Sequence, residues 1–268
     1  MLSRGATDMT AAVYVVRGRD FSSLKPGDAF SFDGEEGRHA ASVRRTQVGE
    51  LIDVVDGEGM RLSLEVTGAS KSEIVGRVME VRIDPAHSVH ITLIQALAKG
   101  GRDEQAIETA TEYGVDAVIP WQADRSIARW DGTKVAKGHA KWEACVLAAT
   151  KQSRRSWLPQ VGGLLGSSEL AQWIADAHQR GTQVFICHEE AQTHLTAELE
   201  QLRDQWSADE SGAHAAALIV GPEGGISPSE VEAFEAAGGK AVLLGNHVMR
   251  SSSAGPWGIA VIRAFLTQ

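Results

Sequence analysis

Ala216-Ala217-Leu218-Ile219-Val220-Gly221-Pro222-Glu223-Gly224-Gly225-Ile226-Ser227-Pro228-Ser229-Glu230 is the stretch on which the fold turns. Five apolar residues with no polar alternation, Ala216 to Val220, predict a strand buried on both faces, as in a parallel sheet. Ser227-Pro228-Ser229-Glu230 is a capping box with proline at the first helical position, so a helix should run from Pro228 to about Ala237. The glycine-rich turn between them lies where an α/β sheet usually binds its ligand, because glycines let backbone N–H groups approach closely.

The same grammar extends outward. Strands are expected at Ile91 to Leu97, Ala117 to Pro120, Gln183 to Cys187 and Ala241 to Leu244. Helices are expected at Asp103 to Tyr113, Ser168 to Gln179, Leu195 to Trp206 and Ala254 to Phe265, with a further one whose buried face carries Trp142, Cys145, Val146 and Ala149. This alternation predicts an α/β domain with a largely parallel sheet. The first 85 residues differ: short β-type runs at Ala12–Val16, Ala29–Phe32, Glu50–Val55, Arg61–Val66 and Glu73–Ile83 are separated by Asp-Gly turns and one helical piece, Arg38 to Arg45. They read as a small β-barrel or sandwich. Asp84-Pro85-Ala86-His87 breaks the pattern, placing the domains at 1–86 and 87–268.

At 268 residues, 43% hydrophobic and 23% charged, the chain is of globular composition, which excludes a disordered or fibrous protein. No apolar run reaches the roughly 18 residues of a membrane span, and MLSRGATDMT lacks the apolar core of a secretory signal, so no membrane partner and a cytoplasmic location are expected. Cys145 and Cys187 make no CxxC pair and read as buried thiols. The histidines show no HxxxH or HxxE spacing, so no metal site is expected.

A net charge of −9 speaks against a simple electrostatic binder of nucleic acid. The charge is unevenly spread, however. Glu169 to Glu235 holds 13 acidic side chains against Arg180 and Arg203, a local −11 that leaves the rest of the chain near +2. Lys99 to Trp157 holds 10 basic and 8 acidic residues with Trp121, Trp130, Trp142 and Trp157 interleaved. That composition suits an RNA-facing surface and a solvated face equally well.

Two loops carry candidate chemistry. Gly221 to Gly225 is neither GxxxxGK[ST] nor GxGxxG, and Glu223 would oppose a polyphosphate while suiting a cation or an adenosine ribose. A ligand-free strand-to-helix turn is the alternative. Gly245 to Gly255 is polar and small after an apolar strand; Arg250 and its three following serines can hold an anion, or Ser252 or Ser253 can simply cap the terminal helix.

In this order and spacing the two loops resemble the ribosomal RNA small-subunit methyltransferase E family, whose GPEGG turn and LGxRxLRxETA segment correspond to Gly221–Gly225 and Leu244–Ala254. Lys99-Gly100-Gly101-Arg102 with Glu112-Tyr113-Gly114-Val115 looks like its K-G-D-R and A-T-E-L-G-V. Lys151-Gln152-Ser153-Arg154-Arg155 with Pro159 looks like its E-Q-S-x-R-x-x-x-P, and Arg38-His39 to Val43-Arg44 with Asp56-Gly57-Glu58-Gly59 looks like its H-x-x-x-V-L-R and D-G-x-G turns. The likeness covers nearly the whole chain. Departures are Ser252-Ser253 for the family's glutamate and threonine, His247 for arginine, Gly101 for aspartate, Thr109 for lysine and Lys151 for glutamate.

The resemblance implies a PUA-like β-barrel followed by a SPOUT domain with a C-terminal trefoil knot. It also implies a homodimer, and methylation by S-adenosylmethionine of uridine N3 in 16S ribosomal RNA of the small subunit. It would place the cofactor against His188, Glu189, Gly221, Glu223, Gly224, Gly225, Leu244, Gly245, His247, Val248, Met249, Ser253 and Ala254. RNA would meet Arg38, His39, Arg44, Lys99, Arg102, Arg154 and Arg155. Uracil N3 must lose its proton, so a cation that stabilises charge on the uracil oxygens or a general base is required. Arg250 is the candidate for the first task, Glu223 or His247 for the second, and Arg154 a further active-site candidate. An RNA-binding assembly factor without catalysis, a nucleotide-binding metabolic enzyme and a methyltransferase of another RNA are the competing readings.

Overall fold

The computed structural model describes residues 11–207 and 214–266; the opening stretch MLSRGATDMT lies outside the described residues. Two compact units emerge, one taking in the chain up to Ala86 together with Thr150–Leu158, the other His87–Ala149 with the chain from Pro159 onward.

The first unit contains β1 (Ala12–Val15), β2 (Ala29–Phe32), α1 (Gly34–Arg38) continued by a π turn His39–Val43, β3 (Leu51–Val55), β4 (Met60–Ala69) and β5 (Ile74–Ile83). They form one mixed sheet in the order β1-β3-β4-β5-β2, in which β1 runs parallel to β3 and the other pairs are antiparallel. Alternation turns Ile52, Val54, Leu62, Leu64 and Ile74 into a core with Tyr14, Phe21, Phe30 and Phe32. β1 and β2 stand at the sheet's two ends, with no ladder between them among the described residues. The hairpin turn at Asp56 is held by its carboxylate, which accepts from the amides of Glu58 (2.7 Å) and Met60 (3.0 Å).

The second unit contains β6 (Val89–Ala96), a 3-10 turn Lys99–Gly101, α2 (Arg102–Glu112), β7 (Ala117–Gln122), α3 (Thr133–Gln152, whose residues from Thr150 on are counted in the first unit), β8 (Gln160–Val161), β9 (Leu165–Gly166), α4 (Ser167–Gln179), β10 (Gln183–Cys187), α5 (Leu195–Ser207), β11 (His214–Val220), α6 (Pro228–Ala236), β12 (Lys240–Val242) and α7 (Ser251–Leu266). The sheet is parallel throughout, ordered β12-β10-β11-β6-β7-β8 with β9 also on β7. One core layer packs Ile94, Ile119, Trp121, Ile186 and Ile219 against Leu170, Ile174 and Phe234 of α4 and α6. α7 presses closely on β6 and β11: a Cβ on Gly255 would lie 2.8 Å from Leu93, and one on Gly258 2.8 Å from Leu218. The carboxyl ends of the strands therefore open onto the loops that the glycines punctuate.

Three expectations need correction. α7 begins at Ser251, not Ala254, because the Arg250 carbonyl accepts from the amides of Ser253 (2.8 Å) and Ala254 (3.0 Å). Arg250 thus takes the cap position, and neither Ser252 nor Ser253 caps. β12 stops at Val242, leaving Leu243 and Leu244 to the following loop. The two cysteines are half-buried rather than buried. No helix of the described residues is long and apolar enough to cross a membrane.

Candidate active site

The glycine turn after β11 is fastened on every side. Gly221 approaches Ile226 so closely that a Cβ would sit 2.7 Å from its side chain and 3.3 Å from its amide, and Gly225 occupies a left-handed φ of +74°. The amide of Gly225 returns to the Pro222 carbonyl at 2.9 Å. Downstream, Ser227 and Glu230 form the capping box (Ser227 N to Glu230 Oε2 2.8 Å, Glu230 N to Ser227 Oγ 3.3 Å). Glu230 also accepts from the Asp124 amide and the Ser167 hydroxyl. Arg125 donates to the Gly224 carbonyl at 3.2 Å.

Glu223 projects from this turn and is claimed by Arg102: Nη1 donates to its Oε1 at 2.8 Å, and the Lys99 amide reaches the same oxygen at 3.2 Å. Burial pushes the carboxyl up, but these bonds and one from its own backbone amide outweigh burial and hold it below the usual carboxylate range. Glu223 is therefore a fixed negative charge with low proton affinity.

The second wall, after β12, is of another kind. Residues 244–249 make no hydrogen bond among the described residues, and Val248 is 84% exposed. Arg250 follows them, and its guanidinium has no carboxylate partner among the described residues. Two adjoining cavities lie along this second wall, and the first of them also reaches the glycine turn. One, of about 400 Å³, is edged by Arg102, Glu189, Glu223, Arg250 and Ser251; the other, of about 300 Å³, by His188, Leu244, Gly245, His247 and Met249. Cys187, Glu189, Val248, Met249 and Ala254 border both. Burial pushes the Cys187 thiol up to about 12, so it stays protonated and inert.

The cleft thus collects His188, Glu189, Gly221, Glu223, Gly225, Leu244, Gly245, His247, Val248, Met249, Arg250 and Ala254 from the expected set. Gly224 stands off it, its carbonyl turned to Arg125. Ser253 is exposed on the first turn of α7 and does not line the cleft, because that helix starts early. Arg102, expected on RNA, is engaged with Glu223. The residue that no local motif singled out is Arg125, which fastens the glycine turn from a loop 99 residues upstream.

Arg154, expected near the chemistry, belongs to the first unit, where it edges a cavity of about 260 Å³ with Tyr14, His39, Arg44 and Lys151. Its backbone is left-handed (φ 58°), and its carbonyl accepts from Arg61, a buried guanidinium that also bonds Asp53 and Asp84. Lys151 meets Glu36 at 2.7 Å, which gives the unexpected lysine a local partner. Arg38 is exposed at the end of α1, Lys99 is exposed, and Arg155 is half-buried. Among the described residues no group of three His, Cys, Asp or Glu side chains is placed to hold a metal.

Fold and site together define a parallel α/β domain whose ligand cleft is built from two glycine loops, joined to a unit with a mixed β-sheet. The family described as RNA methyltransferase domain matches residues 85–263, and that described as RNA methyltransferase PUA domain matches residues 32–79. A relative from Mycobacterium bovis, ribosomal RNA small subunit methyltransferase E, is 41% identical over 222 residues, 83% of this chain and 81% of its own. The protein of that name from Bacillus subtilis is 26% identical over 240 residues, 89% of this chain and 91% of its own. The chain belongs to the ribosomal RNA small subunit methyltransferase E family. The solved structure of a Neisseria gonorrhoeae member bound to S-adenosyl methionine shares the fold, with a TM-score of 0.77 at 23% identity over 95% of this chain and 98% of the other.

Proposed function

We propose that this protein is an S-adenosylmethionine-dependent methyltransferase that modifies N3 of a uridine in 16S ribosomal RNA of the small subunit. The observation that carries the reading is the cleft between the two glycine loops, where Arg250, with no carboxylate partner among the described residues, lines the same cavity as the fixed carboxylate of Glu223. The residues fit the cofactor. Backbone groups of 244–249 are available to an adenine edge, and Glu189 and Glu223 supply negative charge for a sulfonium and an ammonium. When bound, the cofactor supplies an electrophilic methyl group. His188, Glu189, Gly221, Gly225, Leu244, Gly245, His247, Val248, Met249 and Ala254 would hold it, with Gly224 and Ser253 supporting from behind and beside the cleft.

Arg250 is assigned the stabilisation of charge on the uracil oxygens as the N3 proton leaves, since a guanidinium stays charged and forks onto a carbonyl. Glu223 is assigned to orientation rather than to proton removal, because Arg102 and the Lys99 amide keep it ionised. His247, exposed on the loose wall, is the remaining candidate base. Arg38, His39, Arg44, Lys99, Arg102, Arg154 and Arg155 are assigned to RNA phosphates; the cavity that Arg154 edges with His39 and Arg44 supports its place in this group, and it is kept as an active-site candidate as well. The same reading includes domains at 1–86 and 87–268, a PUA-like barrel, a trefoil knot around the cofactor, a homodimer and a cytoplasmic location.

The test is methyl transfer from labelled S-adenosylmethionine to small subunits from cells lacking this protein, followed by mass mapping of the product nucleotide. A methyl group on uridine N3 is expected. Transfer to another position or another RNA would overturn the site assignment, and cofactor-independent binding of RNA without transfer would favour an assembly factor.

A further inference from the structure

Gln95, the penultimate residue of β6, is fully buried and does not border the cleft, yet it is wired to it. Its Nε2 lies 2.8 Å from Ser251 Oγ, and that hydroxyl lies 2.9 Å from the Gly221 carbonyl. The direction of the chain is forced. A carbonyl only accepts, so Ser251 spends its single proton on Gly221 and must accept from Gln95. The amide nitrogen therefore faces Ser251, donating also to the Ala96 carbonyl at 3.3 Å, and Gln95 Oε1 is buried with no hydrogen-bond partner among the described residues. A buried acceptor without a partner is costly, and an apolar side chain of like volume would avoid that cost. What the amide contributes in return is its donated bonds, one of them to the Ser251 hydroxyl at the start of α7.

The relay joins the ends of two neighbouring strands to the first residue of α7. Ser251 is that residue, and Arg250 is the cap immediately before it, at the end of a loop that makes no hydrogen bonds of its own among the described residues. We propose that Gln95 is a positioning residue: through Ser251 and Gly221 it fixes the start of α7 against the glycine turn and so sets where the Arg250 guanidinium stands over the cleft. This rests on the role assigned to Arg250 above.

Three variants test it with methyl transfer to small subunits, cofactor titration by calorimetry and thermal unfolding. Gln95→Met should fold as the wild type does and bind S-adenosylmethionine within about 2-fold, because volume is kept and the orphaned acceptor is removed. Its kcat should fall by about 10- to 100-fold, the scale of an ångström's misplacement at a reacting centre. Ser251→Ala should lose a similar factor, and the double variant should lose no more than either alone, as members of one relay do. Gln95→Glu carries its own signature. A carboxylate cannot donate to Ser251 whereas a carboxylic acid can, so its rate relative to wild type should rise as pH falls. Wild-type kcat in Gln95→Met, multiplying losses in the double variant, or a flat pH ratio for Gln95→Glu would overturn this inference alone. Failure of the wild type itself to transfer a methyl group would overturn the reading of the site and this inference with it.

Discussion

The two walls of the cleft contrast in how they are held. Residues 221–226 are fastened by Arg102, Arg125, Ser251, the Pro222–Gly225 turn and the capping box behind them. Residues 244–249 make no hydrogen bonds among the described residues and present Val248 to solvent. The first wall is preorganised, so a ligand meets a fixed backbone and a fixed charge. The second offers unsatisfied backbone groups, so ordering it draws on the free energy of binding. Arg250 stands at the junction: its backbone belongs to a helix cap, its side chain to the loose wall.

The strongest test of this division acts at that junction. Arg250→Ala should lower methyl transfer by about 10²- to 10³-fold, as loss of a preorganised electrostatic donor does, while leaving the affinity for S-adenosylmethionine nearly unchanged. Arg250→Lys should recover only part of the rate, since an ammonium cannot fork. Single-turnover rates with calorimetric affinities would check both, and equal losses in rate and affinity would assign Arg250 to the cofactor instead.

One substitution made in both walls should have opposite outcomes. Alanine at Gly221 puts a Cβ 2.7 Å from the Ile226 side chain and against its amide, whereas alanine at Gly245 meets nothing nearer than the flexible end of Met249 at 3.8 Å. Gly221→Ala should lose about 1–3 kcal/mol of unfolding free energy, the usual cost of overpacking, and Gly245→Ala should stay within about 0.5 kcal/mol. Urea titrations measure the difference, and equal costs would mean that the second wall is as rigid as the first.

Amide exchange reads the contrast without mutation. Residues 244–249 should exchange quickly in the free protein and slow on addition of S-adenosylmethionine, while the amide of Gly225, already bonded to Pro222, should change far less. Parallel protection of both loops would erase the distinction.

The walls are also unequally legible in the sequence. Ser227-Pro228-Ser229-Glu230 announces its helix because the capping box is local chemistry, four residues long. The start of α7 escapes the sequence pattern for the opposite reason. Three serines and a Gly-Pro pair have poor helix propensity, and the packing of Gly255 on Leu93 that holds this turn is tertiary. β8 and β9 have two residues each, too short for any period to register. Glu223 is visible as a candidate, but Arg102 lies 121 residues away, and nothing local says that the carboxylate is held ionised. Gln95 gives no signal, because its role depends on a serine 156 residues later. Arg154 shows another limit: its motif carries an active-site expectation, while the cavity it edges with His39 and Arg44 is assembled within the first unit from stretches more than 100 residues apart in sequence.

The smallest effect concerns the fixed charge on the first wall. Glu223 has a carboxyl held low by Arg102 and two backbone amides, so its folded-state pKa lies below its unfolded value. A group of that kind contributes stability that is fully present above the unfolded value, about 4.3, and is lost as pH falls through the folded one. The stability difference between wild type and Glu223→Gln should therefore be flat from about pH 5 upward and shrink in more acidic solution. Its size should be modest, at most about 1 kcal/mol, because the Arg102 side chain is 48% exposed and that of Glu223 28%, so solvent screens the pair. Arg102→Ala removes one of the restraining bonds and should move the same titration to higher pH. A difference that instead varied between pH 6 and 8 would make Glu223 a proton carrier in the working range, and the first wall would then be chemically active as well as rigid.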